Sequence, residues 1–95
     1  MAECVKLIEF IESNVDHAVQ LKGLLTLTEC RQFLLSIGNL KQKFTDSRAT
    51  EKIDYQSISF IKDCCEALQK TGVFSMKGAM DLLNAIDTIE AALKQ

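Results

Sequence analysis

Apolar residues recur at steps of three and four in four separate stretches of this chain, and that spacing commits each stretch to one face of a helix. Over residues 4–22 one stripe is Cys4, Ile8, Ile11, Val15 and Ala18; an adjoining one is Leu7, Phe10, Asn14, His17 and Leu21. Cys30, Phe33, Ile37, Leu40 and Phe44 predict a second helix over about 27–44. Ile58, Ile61, Cys65 and Leu68, flanked by Phe60, Cys64 and Ala67, predict a third over about 54–70. Ala79, Leu82, Ile86, Ile89 and Leu93 line a fourth. The chain contains no proline. No helix is therefore broken by a missing N–H donor or a ring clash.

The boundaries between these stretches carry their own signals. Gly23 and Gly72 follow the first and third stripes, where a left-handed C-cap residue belongs and where only glycine escapes a Cβ penalty. Thr26 and Glu29 have the spacing of a capping box, with Leu25 and Cys30 placed as a hydrophobic staple. Ser75 is the expected N-cap of the fourth helix and Asp54 that of the third. Gly38 falls inside the second helix, at a cost of about 1 kcal/mol relative to Ala.

Superposing Gly23 on Gly72 also superposes the downstream stripes: Phe33 on Leu82, Ile37 on Ile86, Leu40 on Ile89 and Phe44 on Leu93. Two origins fit this match, an internal duplication or two ordinary helix pairs sharing one kind of turn. Both give the same architecture. A short turn makes consecutive helices antiparallel neighbours. The expected fold is all-α: a four-helix bundle in one domain, built from two αα-hairpins over about 4–44 and 54–94, with a polar linker over about 45–53.

With 95 residues, 47% of them apolar, the chain can bury roughly 60–70% of its unfolded surface without disulfides or metals. The net charge of −2 gives no long-range attraction to phosphates or anionic lipid. Glu3, Glu9 and Glu12 interrupt any apolar run near Met1, so no signal peptide is expected. No stretch reaches the ~18 apolar residues of a membrane span. A soluble protein in the cytoplasm, with reduced cysteines, is the expectation.

No residue set carries a recognisable chemistry. The vicinal pair Cys64-Cys65 invites a metal or redox reading. Adjacent helical side chains diverge by about 100°, however, and zinc wants four converging ligands. Cys4, Cys30, Cys64 and Cys65 read better as small buried hydrophobes. His17 is the only histidine and has no nucleophile spaced to it. Glu9 with Glu12, and Asp87 with Glu90, are pairs on single helices; acid–base catalysis needs carboxylates facing each other across a cleft. Lys41, Lys43, Arg48 and Lys52 form a mild basic region around the linker, diluted by Asp46, Glu51 and Asp54. The four glycines are scattered and make no phosphate loop. Catalytic, cofactor-binding and metal-ligating residues are accordingly not expected, and no cofactor is implied.

What remains is surplus apolar surface. The first helix is apolar on two stripes, Leu34 and Leu35 widen the second, and Leu24, Val73, Phe74, Met76 and Met80 gather near the turns. A bundle of this size needs about one 100° face per helix. Either its core faces are wide or a second surface is buried against a partner. The function this favours is a non-enzymatic helical interaction module that forms a homo-oligomer or docks a partner helix. Its expected surface includes Leu7, Phe10, His17, Phe74 and Met76. The alternatives are a nucleic-acid-associated regulator using the basic linker region, and a cysteine-based metal or redox site.

Overall fold

The structure is a computed structural model that describes residues 2–94. It contains four helices: α1 (Ala2–Lys22), α2 (Leu27–Thr45), α3 (Lys52–Gln69) and α4 (Met76–Leu93). No strand occurs among the described residues. Neighbouring helices pack in a closed ring, α1 on α2, α2 on α3, α3 on α4 and α4 back on α1. Cross-links show the antiparallel sense: Lys41 of α2 meets Glu12 of α1, Asn39 of α2 meets Ser57 of α3, and the Tyr55 hydroxyl donates to the Leu93 carbonyl. The chain is a four-helix bundle of two αα-hairpins. The most extensive seam, α2 on α3, joins one hairpin to the other.

The caps form as the sequence predicts. The Glu29 N–H donates to Thr26 Oγ1 at 3.1 Å and the Thr26 N–H to Glu29 Oε1 at 2.9 Å. The Gly78 N–H donates to Ser75 Oγ at 3.0 Å. Gly23 and Gly72 have φ of 61° and 77°, the left-handed region that glycine enters without strain.

The start of α3 corrects the expectation. Asp54 is not the N-cap; Glu51 is, and Asp54 lies inside the first turn, fully buried. A buried carboxylate is costly unless paired and hydrogen-bonded. Asp54 meets both conditions. The Arg48 guanidinium donates two bonds to it, at 2.9 and 2.8 Å, and the Glu51 N–H a third at 2.8 Å.

Among the described residues the core takes five positions on each of α1, α2 and α4 and seven on α3, where Ser57 and Cys64 widen the stripe. On α2 they are Phe33, Ser36, Ile37, Leu40 and Phe44; on α4, Leu82, Ala85, Ile86, Ile89 and Leu93. These two sets superpose in the register that puts Gly23 on Gly72. The odd helices do not follow that register. The α1 core of Cys4, Ile8, Ile11, Val15 and Ala18 superposes on Asp54, Ile58, Ile61, Cys65 and Leu68, one residue further along. Ala67, expected beside the third stripe, is therefore exposed, and Phe60 is half-buried. The slip is absorbed at the end of α3. Gly23 N–H bonds the Val19 carbonyl four residues back, whereas Thr71 and Gly72 N–H bond Leu68 and Gln69, three back. A turn of 3₁₀ geometry uses fewer residues per turn than an α-turn, so the second hairpin closes with one residue fewer.

Candidate interaction surface

The five residues expected at a second surface lie in different places. Leu7 and Phe10 line a shallow depression on the α1–α4 seam with Ala85 and Thr88. His17 is exposed further along α1. Phe74 is half-buried in a groove between α3 and α4. Met76, the first residue of α4, stands 90% exposed. In α1 the two stripes separate cleanly. Ile8, Ile11 and Val15 are buried; Phe10 and Leu21 are exposed, and Leu7 is half-buried.

The most exposed large apolar side chains lie toward the end of the bundle that holds both hairpin turns. Leu27, at the first position of α2, is 91% exposed, Leu21 64% and Met80 57%. Leu27 and Met76 occupy the same position after their caps, Thr26 and Ser75. Leu27 was not among the expected surface residues.

Two grooves open on the outer faces of the hairpins. The α1–α2 groove has a volume of about 410 Å³ and the α3–α4 groove about 180 Å³. They are lined by corresponding positions. Glu12, Asp16 and Val19 match Lys62, Glu66 and Gln69 in the α1-on-α3 register, and Leu25, Cys30 and Leu34 match Phe74, Ala79 and Leu83 in the α2-on-α4 register. The floors are apolar in both, but the rims differ. The α1 wall of the larger groove carries Glu9, Glu12 and Asp16, while the smaller groove has one basic and one acidic residue.

Most of the basic region around the linker is engaged in holding the fold. Lys41 Nζ pairs with Glu12 at 2.9 Å. Lys43 Nζ donates to the Arg48 carbonyl and lies 5.3 Å from the centre of the Phe44 ring. Arg48 binds Asp54, with Glu51 at 3.2 Å. The neighbouring Asp54 carboxylate raises the Arg48 pKa further above its usual value. Glu12 is half-buried and pairs with Lys41 across the α1–α2 seam.

The vicinal cysteines diverge as adjacent helical residues must. Cys64 lies near Glu29 and Cys30 of α2, while Cys65 lines the groove against α4. Burial, reinforced by nearby acidic groups, pushes the Cys64 thiol up to about 11. Burial pushes Cys65 up to about 12. Both are neutral thiols at neutral pH and poor nucleophiles. All four cysteines are free, and Cys30 is half-buried rather than fully buried. Among the described residues, no group of three His, Cys, Asp or Glu side chains is placed to hold a metal ion. Among the described residues, no helix is long and apolar enough to cross a membrane. No family model, curated protein or solved structure matches the chain.

Proposed function

We propose that this domain is a non-enzymatic helical interaction module, which associates with itself or docks a partner helix through apolar surface left outside its core. The observation that carries this reading is the turn end of the bundle. Leu27 and Met76 are almost fully exposed there, and Leu21 and Met80, near the same end, are each more than half exposed. Single exposed apolar residues are ordinary, but several strongly exposed ones at one end of a small domain supply apolar area that a partner could cover, and this supports the reading. The nucleic-acid alternative has less behind it, because Lys41, Lys43 and Arg48 already have partners within the chain. The metal or redox alternative is weakened by the divergence of Cys64 and Cys65.

Sedimentation velocity across a wide concentration range tests the reading, together with titration of generic amphipathic helical peptides. Self-association that is lost in a Leu27→Ser/Met76→Ser variant with unchanged helicity supports it, as does peptide binding. A wild-type protein that stays monomeric and binds no such peptide overturns it.

A further inference from the structure

The geometry points to an occupant for the larger groove: an amphipathic helix of another protein, whose apolar stripe is bordered along one side by Lys or Arg. This rests on the interaction-module reading and assigns it a site and a partner chemistry. The two walls of the α1–α2 groove differ. The α2 wall and the floor are apolar, formed by Phe33, Leu34, Val19 and the turn residue Leu25. The α1 wall presents Glu9, Glu12 and Asp16, whose steps of three and four set them in one line along the helix. Glu12 is neutralised by Lys41. Glu9 and Asp16 are exposed and form no ion pair among the described residues; Asp16 accepts only from neutral Gln20, at 3.0 Å. Their uncompensated charges are two helical turns apart, about 10 Å. A helix lying in the groove meets them with cations at positions i and i+7 on one border, and fills the floor with anchors at i, i+3 or i+4, and i+7.

Charge complementarity also disfavours a second copy of this chain as the occupant. On α2 the exposed Leu27 and Leu34 are accompanied by Arg31, and on α4 Met76, Met80 and Leu83 by Lys77 together with Asp81 and Asp87, so neither helix sets two cations seven residues apart beside its apolar residues. The chain as a whole is anionic, at −2. The α3–α4 groove is an internal control. It shares the apolar floor, but Lys62 stands where Glu12 does, and its volume is less than half.

The test uses the full chain, isotopically labelled for NMR, and three synthetic peptides of about five turns. One has a leucine stripe bordered by lysines, one the same stripe bordered by glutamates, and one serines in place of the leucines. The lysine-bordered peptide is expected to bind at least about tenfold more tightly at low salt than the glutamate-bordered one, and to shift resonances of α1 and α2 around Asp16 and Leu34. A Glu9→Lys/Asp16→Lys variant, altered only at exposed positions, should reverse the preference. A Leu34→Glu variant should weaken both peptides. Shifts confined to the α3–α4 groove or the turn end overturn the assignment of this groove but leave the interaction-module reading standing. Equal binding of the serine peptide, or no reversal in the charge variant, also overturns the proposal. Absence of binding by every peptide, in a protein that stays monomeric, overturns both.

Discussion

At the end of the bundle that carries the linker, the chain is fastened by ionic and hydrogen-bonding contacts. Arg48, Asp54 and the Glu51 N–H interlock, Lys43 reaches the Arg48 carbonyl, and Tyr55 ties α3 to the last turn of α4. At the opposite end the two turns rely on glycine conformation and caps, and leave Leu21, Leu27, Met76 and Met80 in solvent. The first end holds its charged groups in pairs, and of its large apolar side chains it exposes Ile53 and Tyr55, each by less than half. The second is conformationally defined but energetically open. Polar saturation at one end and unspent apolar surface at the other separate the part of the molecule that holds the fold from the part available for contact.

The largest expected effect tests the linker end. Removing one member of a buried pair typically costs ~3–5 kcal/mol. Asp54→Ala is expected near the lower limit, about 3 kcal/mol, because Arg48 can turn back to solvent. Arg48→Met strands a fully buried carboxylate, and an Arg48→Met/Asp54→Leu double variant should recover part of the loss. Denaturant unfolding of the three checks the order. A double variant less stable than Arg48→Met would mean that the network contributes more than the repair of a buried charge.

The buried thiols give the next effect, and its sign follows from their shifts. A thiol whose pKa rises on folding, from 9.0 to about 12 for Cys65, adds stability that is fully present below its unfolded pKa. That stability is lost as the pH climbs toward the folded value. Unfolding free energy should therefore fall between about pH 9 and 12, by on the order of 1–2 kcal/mol at pH 10.5 for Cys65. Cys65→Ala should flatten that decline. At pH 8, alkylation of Cys65 should be on the order of 100-fold slower than in the unfolded chain. Rapid labelling of the native protein at this site would show that the α3–α4 groove opens readily.

Glycine substitutions at the two turns and within α2 have smaller effects that differ in sign. Gly23→Ala and Gly72→Ala should each destabilise by about 1 kcal/mol, the penalty for a Cβ in the left-handed region. Neither Cβ would touch anything, so that cost is conformational alone. Gly38→Ala should stabilise by a similar amount, about 1 kcal/mol, because its Cβ would also meet open space within a regular helix. Thermal melts of the three variants distinguish these signs. Smallest of all, Leu27→Ser and Met76→Ser should change stability by less than about 0.5 kcal/mol. A larger loss at either would show that the turn end contributes to folding and would erase the contrast between the ends.

How much of this was legible in the sequence depended on how local the cause was. Helix periodicity, the Thr26–Glu29 capping box and the glycine turns involve residues within one or two turns of each other, so the number, order and core stripes of the helices could be read directly. Leu7 and Phe10 were readable as lying off the main stripe, but which neighbour they face was not. Asp54 has the side chain of a good N-cap. Only the approach of Arg48, through a loop whose path depends on α2 packing on α3, makes a buried position available to it. The one-residue slip is not visible in the sequence for a related reason. Gly23 and Gly72 share a local conformation and align as a turn should, while the register of α3 is set by which residues reach the core once α2 and α4 are in place.

Sequence alone determined an all-α bundle of two helical hairpins and the caps and turns that delimit it, because 3.6-residue periodicity and capping chemistry act over a few residues. Only the tertiary structure decided which of the two α1 stripes is buried and which basic residues are already paired. It alone showed that an acidic wall of α1 stands over an apolar wall of α2. These follow from the positions of groups far apart in the chain, and burial, pairing and groove shape exist only once the helices have packed.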